Sequence, residues 1–163
     1  MDKKFNKHLN YANGYRQLGM FADAHEELTK IPEELQGSKE VIVTDLAISS
    51  DSKSWERVAK LSGQLVSEYP GDVEWWVQWA YAVRRTNSLE EAKEILRNAL
   101  NTFPVEPCLH YNMGCYACVE GEIDQAKDWI LQAIALEGDY RLMALEDEDL
   151  VEIRDWVQEI AVD

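Results

Sequence analysis

Three histidines, His8, His25 and His110, and three cysteines, Cys108, Cys115 and Cys118, are the side chains best suited to metal or nucleophilic chemistry. His110, Cys115 and Cys118, with Cys108 nearby, make one soft four-ligand set for a tetrahedral zinc ion. On a continuous helix, however, Cys115 and Cys118 share a face while Cys108 lies before it, and no second ligand pair follows. Ordinary packed or groove-lining thiols are the expectation, with no metal bound. Neither a Ser-His-Asp grouping nor a Gly-rich phosphate loop accompanies the histidines, so nucleophilic and nucleotide-dependent catalysis have no support. Acid–base pairs could be drawn among the 31 Asp and Glu residues, but so many carboxylates make any one pair uninformative. The expectation is a non-enzymatic protein with no catalytic residue and no cofactor.

The chain of 163 residues is sized for one domain or a short array of repeats, and 46% hydrophobic residues suffice for a core. Gly and Pro together number 12, few for a many-turned sandwich or barrel, which favours helices. Sixteen Lys and Arg against 31 Asp and Glu give a formal charge of -15, a field that repels nucleic acid and anionic membrane. Residues 120–163 hold 14 of the acids against 3 bases, so the acidity is concentrated at the C-terminal end. That surface is either a solubilising coat or a dock for a basic partner. The first residues lack the apolar core of a secretory leader, no apolar run reaches the roughly 20 residues of a membrane span, and the odd cysteines suit no disulfide framework. A cytoplasmic setting is expected.

Chemistry-bearing residues need elements to position them, and those elements recur. Aligning Leu89–Ala99 with Ile123–Ala133 places Ala92 over Ala126, Leu96 over Ile130 and Ala99 over Ala133, an offset of 34. The same step back from Ala92 reaches Val58 and Ala24, and Phe21, Trp55, Leu89 and Ile123 recur likewise. Pro70 and Pro104, also one period apart, close their units as helix-stop signals. Within a unit, Trp76, Trp79, Ala80 and Val83, then Ala92, Leu96 and Ala99, keep helical spacing on either side of Thr86-Asn87-Ser88. Each unit therefore reads as helix, turn, helix. Small residues paired across the turn, Ala12 with Ala24, Ala80 with Ala92 and Gly114 with Ala126, stand where two backbones cross closely.

The period, the small residues and the closing prolines resemble the tetratricopeptide repeat over about residues 5–140, most clearly in the fourth unit from His110 to Ala126. The resemblance implies an all-α, right-handed superhelical solenoid forming a single domain. Its repeats would cover about 5–38, 39–72, 73–106 and 107–140, with a C-terminal cap at 141–163. In the cap, a helix starting near Asp147 would turn Leu150, Ile153, Val157 and Ile160 to one apolar face, since a terminal repeat needs a soluble outer side. In the second unit, a strict register puts Asp45 and Ser62 at apolar positions, whereas a one-residue shift brings in Leu46, Ala47 and Ala59 but loses the Pro70 alignment. Both registers stand on the sequence.

The resemblance also implies a concave groove lined by the first helix of each unit. Its candidate peptide-binding residues are Asn10, Asn13 and Arg16 from the first unit, Gln78, Tyr81, Arg84 and Arg85 from the third, and Tyr111, Asn112 and Cys115 from the fourth. Amides can bond to peptide backbone, Tyr offers apolar area with a polar tip, and Arg holds carboxylates bidentately. Arginines gathered in one concavity favour a ligand with acidic residues or a free C-terminus. The chaperone-tail clamp known in this family is incomplete here, because Leu9 and Glu74 stand where its lysines belong. The expected function is an adaptor holding an extended peptide or helix of another protein. Self-association into a structural homo-oligomer is the alternative, and a thiol or zinc protein is a third reading.

Overall fold

The computed structural model describes residues 3–161, which form ten α-helices and two short 3₁₀ stretches, with no strand among the described residues. Four helix pairs follow one another: α1 (Lys3–Gln17) and α2 (Phe21–Thr29), α3 (Lys39–Asp51) and α4 (Trp55–Glu68), α5 (Val73–Thr86) and α6 (Leu89–Thr102), α7 (Pro107–Val119) and α8 (Ile123–Leu136). A 3₁₀ turn, Glu33–Leu35, follows α2. The chain ends in α9 (Tyr140–Glu146), a 3₁₀ stretch Glu148–Ile153 and α10 (Arg154–Glu159). Contacts cluster the chain into two compact units, one running to Asn87 and the other from Ser88, so the division falls between α5 and α6, inside the third repeat.

Helices α4, α6 and α8 begin at Trp55, Leu89 and Ile123 and end at Glu68, Thr102 and Leu136, steps of 34 at both ends. The second repeat therefore keeps the strict register. Its departures from apolar pattern have physical reasons. At the α7–α8 crossing, a Cβ on Gly114 would stand 2.6 Å from Ile130 Cδ1, so the pair works only because one partner has no side chain. The corresponding positions one and two repeats earlier read Ala80 with Leu96 and Leu46 with Ser62. The second repeat thus inverts the order of sizes, large on the first helix and small on the second. Ser62 is fully buried and donates its hydroxyl to the Val58 carbonyl at 2.6 Å, which removes the cost of an unpaired polar group.

Asp45 is buried too, yet fully partnered. Arg57 donates Nε and Nη2 to its two oxygens at 2.8 and 2.5 Å, His25 Nε2 approaches at 3.1 Å, and Ser49 Oγ donates at 3.3 Å. Such bidentate pairing is what a carboxylate needs before it can leave water. A second polar clip joins α1 to α2, where buried Glu27 accepts from Lys30 at 2.7 Å and from His8 Nδ1 at 2.8 Å. Lys30 first, then His8, holds the Glu27 carboxyl below its ordinary value.

The closing prolines also act through their carbonyls. Trp76 Nε1 donates to the Pro70 carbonyl at 3.1 Å, and one period later His110 Nε2 donates to the Pro104 carbonyl at 2.9 Å. In the first repeat, where Gln36 stands at the closing-proline position, its Nε2 bridges the Leu28 and Ile31 carbonyls at 2.8 and 2.7 Å. Three of the turns between paired helices use a left-handed residue, Gly19 (φ 72°), Lys53 (φ 56°) and Gly121 (φ 81°), whereas the two-residue turn Asn87-Ser88 keeps negative φ.

The crossing and the Glu27 clip each yield a measurement. Gly114→Ala forces a methyl into Ile130 and should cost about 1 to 3 kcal/mol in chemical denaturation, with Ile130→Val in the same chain recovering part of the loss. Because the Glu27 value is lowered on folding, its contribution is present above the unfolded value of 4.5 and fades as pH falls through the folded one. Glu27→Gln should therefore lower Tm at neutral pH, and its difference from the parent should shrink toward about pH 3.

Candidate interaction site

The first unit contains an open cavity of about 550 Å³ whose walls come from three successive first helices. Arg16 projects from α1; Val43, Ala47, Ser50 and Asp51 come from α3; Glu74, Val77, Gln78 and Tyr81 come from α5, with Trp55 at the start of α4. Most of this wall is apolar, and its floor reaches the core residues Leu46, Val58 and Trp75. A volume of this size takes one or two side chains or a small organic ligand.

The charged and amide groups on its rim pair with one another. Arg16 Nη1 donates to Asp51 Oδ2 at 2.8 Å, and Gln78 Nε2 donates to Glu74 Oε1 at 3.0 Å. The Arg85 guanidinium lies 3.6 Å from the centroid of Tyr81 and 5.0 Å from that of Trp55, stacked on the aromatic pair. One arginine therefore lines this cavity, beside two carboxylates, so the wall has no excess of positive charge.

The other residues expected in the groove are dispersed. Asn13 donates to the Leu9 carbonyl of its own helix at 3.1 Å, and Asn10 lines a separate opening with Tyr11 and Leu18. Arg84 is half-buried on α5 and does not line the cavity. In the second unit, Asn112 donates to the Cys108 carbonyl at 2.7 Å. Tyr111 and Cys115 are buried beneath the C-terminal segment: Tyr111 donates its hydroxyl to Asp147 at 2.8 Å, Cys115 Sγ lies 3.7 Å from the same oxygen, and the Tyr111 ring packs on Tyr140 at 5.1 Å. The cap residues Leu150, Ile153 and Val157 are buried as the apolar face requires, while Ile160 is half-buried. The cap thus folds across α7 and covers Tyr111 and Cys115, while Asn112 stays half-buried.

The thiols sit in surroundings that suppress their chemistry. Burial, reinforced by Glu106, pushes Cys108 up to about 12, and burial followed by Asp147 raises Cys115. Burial also raises Cys118, with Glu152 next. His110 turns Nε2 to a carbonyl and its ring to Trp129, away from the role of a zinc ligand. Among the described residues no three His, Cys, Asp or Glu side chains converge on one point as metal ligands.

Sequence reasoning left out the whole second-repeat contribution, Val43, Ala47, Ser50, Asp51 and Trp55. The signal was present, since adding 34 to Leu9, Asn13, Arg16 and Gln17 gives Val43, Ala47, Ser50 and Asp51.

The solved structures carry the same architecture. MamA from Desulfovibrio magneticus RS-1, residues 41 to the end, superposes with a TM-score of 0.69 at 14% identity, over 98% of this chain and 96% of that one. A double mutant titled MamA RS-1 ArsTM gives 0.72 at 13%, over 98% and 95%. TTC0263, a thermophilic tetratricopeptide-repeat protein of Thermus thermophilus, gives 0.61 at 19%, over 95% and 99%. The fold is that of the tetratricopeptide repeats. At these identities the tetratricopeptide architecture is what is shared, and neither a family model nor a curated protein matches the chain. The repeat fold is all-α, and no helix among the described residues is long and apolar enough to cross a membrane.

Thiol labelling reads out the cysteine environments. At about pH 7.5 the native protein should react slowly with iodoacetamide at Cys115 and Cys118, and all three thiols should react within minutes in denaturant; fast native labelling of Cys115 would contradict its burial.

Proposed function

We propose that the protein is a non-enzymatic interaction module whose first unit holds a segment of another protein, extended or helical, in the cavity between α1, α3 and α5. The observation that carries this reading is the cavity itself, an apolar concavity of about 550 Å³ left open by helices that are otherwise closely packed. Val43, Ala47, Val77 and Tyr81 receive an apolar anchor, and Glu74, Gln78 and the Arg16–Asp51 pair ring it with polar groups that fix the register of a bound backbone.

The charge of the ring changes the ligand from the one that arginine clustering suggests. Asp51 neutralises Arg16, and Arg85 is held flat on aromatic rings, so an acidic side chain or free C-terminus finds no uncommitted cation lining the cavity. An apolar anchor flanked by a basic or amide group that reaches Glu74 fits better. Affinity is modest, because the segment is ordered only on binding. The protonated, unpaired thiols suit a reducing setting, which supports a cytoplasmic location.

Panning a random peptide library on the intact protein tests the reading. Enriched peptides should share one aromatic or branched apolar residue, and Ala47→Trp, which fills the cavity from its wall, should weaken them at least tenfold, about 1.4 kcal/mol, without lowering Tm. Peptides that bind the filled variant undiminished would place recognition elsewhere on the molecule.

A further inference from the structure

Every first helix of the repeats presents the same stacking face, and on α3, α5 and α7 the preceding second helix covers it. On α3 this face holds Val41, Thr44, Asp45 and Ile48, all buried. Val41 and Ile48 share a core cluster with Ala24, Leu28 and Ile31, and Asp45 is reached by His25 of α2. On α5 the same face holds Trp75, Trp79 and Ala82, and Trp79 packs 3.3 Å from where a Cβ on Gly63 of α4 would stand. On α7 the equivalent Leu109, Met113 and Tyr116 are buried. On α1 the equivalent positions are Lys7, Asn10, Tyr11 and Gly14, and no second helix precedes them among the described residues. Tyr11 is 51% exposed and Leu18, one turn further on, 74%. With Asn10, Gly14 and Tyr15 they line an opening of about 300 Å³.

Charge indicates what belongs there. Helix α1 contains Lys3, Lys4, Lys7 and Arg16 and no acidic residue. Arg16 is taken by Asp51, whereas the Lys7 ammonium lies on the open face, 5.4 Å from the Tyr11 ring centroid. The chain's other end has the complementary character, with 14 acids against 3 bases in residues 120–163. There Leu142 and Met143 of α9 are 64% and 52% exposed and Val151 is 55% exposed. One end is basic and apolar, the other acidic and apolar. Pairing two α1 faces would instead set Lys7 against Lys7.

We propose that the outer face of α1 docks the C-terminal end, α9 and the 3₁₀ stretch, of a second copy of this chain, in the place that α2 occupies on α3. The contact is head-to-tail, so each copy offers one face and one tail. It is separate from the cavity, whose lining includes none of Lys7, Asn10, Tyr11, Leu18, Leu142, Met143 or Val151.

Sedimentation of the full chain at graded concentration tests it. At about 50 mM salt the weight-average mass should rise above the 18.8 kDa of one chain, and at about 500 mM the apparent dissociation constant should increase tenfold or more. Two variants, Tyr11→Glu with Leu18→Glu on the face and Leu142→Arg with Met143→Arg on the tail, should each remain at the mass of one chain with unchanged helical circular dichroism. Lys7→Glu is the second face variant should the first not fold. Mixed together, the face and tail variants still hold one intact face and one intact tail between them, so they should form a one-to-one pair. A parent protein that stays at the mass of one chain throughout, a single variant that still associates, or a mixture that does not pair would each overturn the proposal.

Discussion

Two helices joined by a turn of two or three residues can lie closely against each other only if the side chains at their crossing stay within the room the two backbones leave. Gly114 shows how tight that limit is, since even a methyl group there would overlap Ile130. Once the crossing is set, residues on either side of it are fixed in rotation as well. That is why the paired helices step by 34 residues and why a residue one period on faces the same way. The inward walls of α1, α3 and α5 coincide for this reason, and the cavity is the space their side chains leave unfilled.

The small residue can stand on either helix of a pair. In the second repeat the large Leu46 stands on the first helix and the small Ser62 on the second, both buried, the reverse of Gly114 and Ile130. The buried charges at Asp45 and Glu27 are admitted with partners. Asp45 brings Arg57 and His25, and Glu27 brings His8 and Lys30. In the second unit the side chain of Lys93, only 5% exposed, meets Glu90, Glu120 and Glu122, which ties α6 to the turn between α7 and α8. Truncating one member of such a cluster would strand a buried charge and destabilise the fold, even though the intact cluster adds little over apolar packing of the same volume.

Much of this was legible in the sequence, and the failures have physical causes. Ala92, Ala126 and the closing prolines carry the period, and the helix pairs follow it. The second repeat resisted because its apolar pattern is replaced by charge pairing, and the partners of Asp45 lie 12 and 20 residues away, beyond any local spacing rule. Tyr111, Asn112 and Cys115 have the composition of groove residues, but a helix face carries no local mark of what will cover it. The cover here is the chain's own C-terminal segment, anchored through Asp147. The fold subdivides after Asn87 although the period runs through unbroken, because a repeat alignment records which residues recur and is blind to how strongly successive units contact each other.

The arginines show why composition predicts a site's residues better than its electrostatics. A guanidinium on a concave face is available to a ligand only if the fold leaves it without a partner, and in a chain with about twice as many acids as bases a carboxylate is usually within reach. Arg16 meets Asp51, and Arg85 lies against the faces of Tyr81 and Trp55. The field of the one is offset by a carboxylate and that of the other is directed into aromatic quadrupoles. What the cavity presents to a ligand is then the apolar surface between these pairs. Selectivity passes from charge attraction to the size and shape of the anchor that Ala47 and Val77 admit.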